Sequence, residues 1–173
     1  RHVTFTYPGR NEPVLRDVSF SIPVGASVGL IGRIGSGKTT ILRLVLKLYT
    51  PDEGAVLFDG TDTRQIDPVD LRRNVGAALQ DAHFFNGSMR ENLVLGLTGI
   101  ADERIEWATK LAGLNNFIAA HPHGLDMMVG ERGEALSNGQ RQAVILARTF
   151  LRDPPILLLD EPTSMMDSNS ESI

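Results

Sequence analysis

Apolar and polar positions change rhythm several times along the 173 residues. Val3-Thr4-Phe5-Thr6-Tyr7 alternates with period two and is rich in strand formers, so it predicts a strand ended by the turn pair Pro8-Gly9. Residues 14–22 form a second extended run, stopped by Pro23 and Gly25. A third, residues 26–31, leads into a glycine-rich stretch, and residues 40–49 then take helical spacing. Thr50-Pro51-Asp52-Glu53-Gly54 closes that helix, and Val56-Leu57-Phe58 runs into Asp59-Gly60, a hairpin signal. Residues 69–73 predict a short helix with Asp67 as its cap, and residues 75–79 a short apolar strand.

From Phe84 to about Gly124 the pattern turns helical. Residues 102–112 read as an amphipathic helix with Ile105, Ala108, Leu111 and Ala112 on one side, and residues 88–95 as another. A long helix over 139–151 opens on polar residues and is broken by Asp153-Pro154-Pro155. Ile156-Leu157-Leu158-Leu159 is an unbroken apolar run, the pattern of a strand buried on both faces of a parallel sheet.

Composition narrows the picture. The chain is 42% hydrophobic and 22% charged, so it carries a sizeable core and fits one domain with an inserted lobe. Its net charge of −4 offers no basic face for nucleic acid. It has no cysteine, which excludes disulfides and thiolate metal sites. No apolar run approaches the ~20 residues of a membrane span, and no signal-peptide pattern opens the chain.

The strongest chemical signal is Gly32-Arg33-Ile34-Gly35-Ser36-Gly37-Lys38-Thr39, which fits the phosphate-binding loop pattern G-x-x-x-x-G-K-[ST]. Gly32, Gly35 and Gly37 are expected to take positive φ and let backbone N–H groups close around phosphate oxygens. The next helix adds its N-terminal partial charge, Lys38 reaches the β- and γ-phosphates, and the Thr39 hydroxyl holds Mg²⁺. Residues 32–40 (Gly32, Arg33, Ile34, Gly35, Ser36, Gly37, Lys38, Thr39 and Thr40) are the expected nucleotide cradle.

Two further elements follow. The apolar run 156–159 ends in Asp160-Glu161, two acids at a strand's carboxyl end, where ligands bind in open α/β folds. Asp160 is expected to hold the metal and Glu161 to polarise an attacking water; a solvated strand end is the plainer alternative. Leu136-Ser137-Asn138-Gly139-Gln140 is a polar loop opening a helix, where Ser137 can cap, Gly139 allows close approach and the helix start favours an anion.

In this order the three elements resemble the nucleotide-binding domain of ATP-binding-cassette (ABC) transporters, over nearly the whole chain. The resemblance implies an α/β P-loop NTPase: a RecA-like core with an antiparallel β subdomain and an inserted α-helical subdomain. It divides residues 1–173 into an ATP-binding core (1–83 and 152–173) and a helical subdomain (84–151). It further implies ATP with Mg²⁺ as the ligand, and ATP hydrolysis as the activity. Ser137, Gly139 and Gln140 would bind ATP held by a second domain in a head-to-tail dimer, most simply a homodimer. Tyr7 resembles the aromatic that stacks on adenine. Gln80 resembles the Q-loop glutamine, a catalytic and Mg²⁺-sensing residue, and Asp167 the D-loop aspartate that meets the other subunit.

Val129-Gly130-Glu131-Arg132-Gly133 resembles the x-loop of exporters. Gln65-Ile66-Asp67-Pro68 and the stretch 153–164 resemble bacterial type I secretion exporters, text shared with lipid, peptide and drug exporters. These imply a transmembrane domain fused N-terminally and a place on the cytoplasmic face of the bacterial inner membrane, with protein as the expected cargo. The chain is expected to be a piece of something longer that stops before the family's switch histidine. His2, His83, His121 and His123 all lie upstream of that position and read as surface or packing residues. Two rivals stay open: a soluble ABC ATPase acting on DNA or ribosomes, and a domain that binds ATP without turning it over.

Overall fold

A computed structural model describes residues 1–79 and 83–161. The chain divides into two compact units, Arg1–Val75 and Gly76–Ile173.

In the first unit, strand β1 (Val3–Phe5) pairs antiparallel with β2 (Leu15–Val18), matching Val3 to Val18 and Phe5 to Leu15. Alternation puts Val3, Phe5 and Leu15 on one face, where they pack with Leu44 of helix α1 (Lys38–Val45). Strands β3 (Leu57–Phe58) and β4 (Thr61–Asp62) form the hairpin expected from Asp59-Gly60, and both turn residues have positive φ. Helix α2 (Pro68–Asn74) starts where Asp67 accepts a hydrogen bond from the Val69 N–H at 2.7 Å.

Two expectations fail here. Residues 26–31 are not a strand: no described strand pairs with them, and Val28 and Ile31 are exposed. Without ladder partners the period-two pattern has no backbone bonds to fix it. The run expected over 14–22 is ordered as strand only over Leu15–Val18, with Phe20 and Ile22 exposed.

In the second unit, β5 (Val75–Ala78) is followed by α3 (Met89–Val94), α4 (Asp102–Leu111), α5 (Asn115–Ala120), α6 (Asn138–Leu151) and β6 (Ile156–Leu159). β5 and β6 share a two-stranded sheet. Helix α6 is the axis of the core: Ala143, Val144, Ala147 and Leu151 pack with Met89 and Leu93 of α3, Ile105 and Ala108 of α4, and Ile118 of α5. Helix α5 went unpredicted, because six residues give too little periodicity to register. Leu111 does not join Ile105, Ala108 and Ala112 in the core; it is exposed. β6 is not buried on both faces either. Leu157 and Leu159 are exposed, because one sheet face carries no cover among the described residues.

Gly76 in β5 has a close neighbour in the turn after α6. A β-carbon there would clash with the Pro154 ring and stand 2.9 Å from Thr149 Cγ2. Gly76→Ala should therefore cost about 1–3 kcal/mol as overpacking. A lower urea midpoint at unchanged slope would show it, and an unchanged midpoint would refute the tight packing.

Candidate functional site

The glycine-rich loop lies in the first unit, on the N-terminal side of α1. Gly35 and Gly37 have φ of 81° and 94°, as expected, but Gly32 does not take positive φ. Its requirement is space: a β-carbon on Gly32 would stand 2.6 Å from Ser36 Oγ. The turn is closed by the Ser36 N–H donating to the Arg33 carbonyl at 3.1 Å. Gly37 is the N-cap of α1 and makes no side-chain cap. Helix α1 therefore opens on backbone N–H groups, which with Lys38 form the donor set a triphosphate needs. Lys38 Nζ donates to the Gly32 carbonyl at 2.9 Å and to the Arg33 carbonyl at 3.3 Å. Thr39 is half-buried in the first turn, and Ile34 is fully exposed at the loop tip.

Tyr7 is brought to the same helix. Its hydroxyl lies 3.0 Å from Thr40 Oγ1 and accepts from Arg43 Nη1 at 3.2 Å. Its ring meets Phe5 and Tyr49 edge-on, with centroids 5.0 and 5.2 Å away. The tie from Thr40 through the Tyr7 hydroxyl to Arg43 was not expected from the sequence. Its one signal was Arg43 standing three residues after Thr40, on the same side of a helix.

The second unit holds the other predicted residues. Ser137 is the N-cap of α6, and Ser137 with Gln140 forms a reciprocal capping box. The Gln140 N–H donates to Ser137 Oγ at 3.2 Å, and the Ser137 N–H donates to Gln140 Oε1 at 2.9 Å. Because Ser137 Oγ accepts in that box, its proton remains to donate outward, as does the Gln140 amide. Gly139 is half-buried in the first helical turn. Asp160 is buried at the end of β6, its N–H donating to the Ala78 carbonyl at 3.0 Å. Glu161 is exposed and holds φ at 49°, the left-handed region that non-glycine residues occupy at a cost. Gln80 and Asp167 lie outside the described residues, as do Met165 and Met166.

A buried cluster beside α6 is a further feature not expected from the sequence. Arg148 and Asn92 are 8% and 0% exposed and hydrogen-bonded to each other. The signal was available: Arg148 follows Val144 by four residues and precedes Leu151 by three, an arginine within the apolar stripe.

Comparison with known proteins matches residues 15–164 to the family model described as ABC transporter. The "ATP-dependent lipid A-core flippase" proteins of Escherichia coli (strain K12) and Shigella flexneri are each 46% identical over 99% of this chain. The chain spans 30% of their length. A solved structure titled "Structure of a bacterial Atm1-family ABC exporter with ATP bound" superimposes with a TM-score of 0.94 at 39% identity. That match covers 99% of this chain and 30% of that one.

The capping box allows a clean separation of roles. Ser137→Ala should destabilise α6 by about 1 kcal/mol, whereas Ser137→Asp, an equally good cap, should stay within a few tenths. Equal loss of thermal stability in both variants would remove the capping role.

Proposed function

The chain belongs to the ABC transporter family, as an ATPase domain of exporter type with the P-loop NTPase fold, and from that premise we propose that it hydrolyses ATP to drive lipid export across a bacterial inner membrane. The observation that carries the ATP reading is the loop itself: Lys38 and the N-terminus of α1 converge on one backbone turn.

The roles follow from the chemistry of each group. Lys38 and the N–H groups of residues 33–40 bind the β- and γ-phosphates, and the Tyr7 ring stacks on the base. The Thr39 hydroxyl, Asp160 and Gln80 would hold Mg²⁺, which would supply charge neutralisation on the phosphates. Glu161 orients and polarises the attacking water. Ser137, Gly139 and Gln140 present donors to ATP held by a second copy arranged head to tail. A membrane domain on the N-terminal side converts dimer closure into movement, which puts this domain on the cytoplasmic face.

Protein is the cargo expected from the sequence. The relatives favour lipid instead, since those reported at 46% identity are flippases of lipid A-core. Protein export keeps one specific support, the text of residues 65–68 and 153–164. Reconstitution of the full-length transporter in vesicles separates the two. ATPase stimulated by a lipid A-type glycolipid and not by an unfolded polypeptide supports the lipid reading; the reverse response overturns it.

Two substitutions test the ATP chemistry. Glu161→Gln should keep ATP affinity and slow turnover by about 10²–10⁴-fold; an unchanged rate would take Glu161 out of the reaction. Lys38→Ala should lose a charge-assisted bond of about 1.5–3 kcal/mol, roughly 10- to 100-fold in affinity. An unchanged ATP titration would exclude Lys38 from the phosphates.

A further inference from the structure

The cluster around Arg148 makes no use of the phosphate-binding residues, yet its buried guanidinium makes three hydrogen bonds. Its Nε donates to the Asn92 carbonyl at 2.6 Å, its Nη2 to Asn92 Oδ1 at 2.9 Å, and its Nη1 to the His83 carbonyl at 2.7 Å. The guanidinium lies over the Phe84 ring, 4.5 Å from its centroid. Asn92 is itself saturated: Oδ1 also accepts from the Phe85 N–H, and Nδ2 donates to the carbonyls of Phe85 and Ser88, each at 3.0 Å. One arginine on α6 and one asparagine on α3 thus clamp the backbone of residues 83–88.

The clamped segment has two edges of interest. It begins three residues after Gln80. On the other side Phe84 abuts Gly133, where a β-carbon would stand 3.0 Å from the ring. The Val129 N–H donates to the Gly87 carbonyl at 3.0 Å and the Met89 N–H to the Met127 carbonyl at 2.8 Å, so residues 127–133 are stitched to the same segment. The opposite end of α6 carries Ser137. Arg148 therefore ties α6 to residues 83–92 by directed bonds in addition to apolar packing.

The partners of Arg148 are all neutral oxygens: two carbonyls and one amide. An apolar side chain in its place would leave three buried acceptors without these donors, each at the cost of an unmade hydrogen bond. Burial pushes the guanidinium down to about 10. What an apolar side chain cannot reproduce is three directed bonds, two to Asn92 of α3 and one to the His83 carbonyl.

We propose that Arg148 is a positioning residue of the ATPase: through Asn92 and the His83 carbonyl it locks residues 83–92 to the helix that presents Ser137. The inference rests on the ATPase reading above and predicts that breaking the lock slows turnover while leaving ATP binding unchanged.

The test uses the full-length transporter with Arg148→Lys, which keeps the charge and loses the fork, and Arg148→Met, which keeps the length and removes the buried charge. ATP affinity, kcat, KM and amide hydrogen exchange are measured for each. Both variants are expected to bind ATP like the wild type, to lose about ten-fold or more in kcat at unchanged KM, and to exchange faster within residues 83–92. If Arg148→Met folds and matches the wild type in kcat and in exchange of that segment, the proposal is overturned and Arg148 is a packing residue. If exchange rises evenly over the second unit while kcat per folded molecule holds, it is overturned as well. A wild-type protein without ATPase activity would instead sink the functional reading, and exchange of residues 83–92 would still decide whether the lock exists.

Discussion

A guanidinium placed in an apolar core must find hydrogen-bond acceptors or the core does not close over it. Arg148 meets that constraint with the carbonyls of His83 and Asn92 and the amide oxygen of Asn92. The two acceptors on Asn92 are in place only once α3 has formed, because its carbonyl and side chain are set by a helix whose first turn is fixed by the Ser88–Glu91 capping box. Glu91 is held below the usual carboxylate range, first by the Ser88 backbone N–H and then by its hydroxyl. A depressed carboxylate stabilises above its unfolded pKa and loses that contribution as the pH falls through its folded value. At neutral pH the box is closed, α3 is pinned, and the acceptors stand ready for Arg148. The apolar contacts of Met89, Leu93, Val144 and Ala147 then close around a frame already set by directed bonds.

The two units rest on different balances. The second is built around one long amphipathic helix, and its loops are tied by backbone bonds such as Val129 to Gly87 and Ala135 to Val129. The first is built around a small aromatic cluster, Phe5, Tyr7 and Tyr49, set against α1. It places the phosphate-binding turn by local means: the glycines, the Gly37 cap and the reach of Lys38. The apolar residues upstream of that turn, Val28 and Ile31, contribute nothing to its core.

How much was legible in the sequence follows from these balances. Capped helices were legible, since Asp67, Ser88 and Ser137 announce their starts through side chains that act on their own neighbours. The hairpin at Asp59-Gly60 was legible for the same reason. The glycine-rich loop, the Ser137 loop and Asp160-Glu161 were legible as motifs, and the family match agrees with the kinship they implied. Strand status at 26–31 and the burial of Leu157 and Leu159 were not, because a strand depends on neighbours distant in the chain. The positive φ expected at Gly32 also failed: glycine serves both a turn and a close approach, and a sequence pattern does not distinguish them. The Arg148 cluster needed three segments at once, so one arginine inside an apolar stripe was its whole trace.

Lys38 is turned onto the carbonyls of its own loop. An arriving triphosphate does not meet a bare ammonium; it displaces two neutral acceptors already in place. Binding is then an exchange reaction within the loop, and its free energy is the difference between phosphate and carbonyl as partners of the same cation. Neutral acceptors are little affected by dissolved salt, whereas phosphate oxygens are screened by it. That difference narrows as ionic strength rises, so the loop becomes less discriminating between its own backbone and its ligand in concentrated electrolyte.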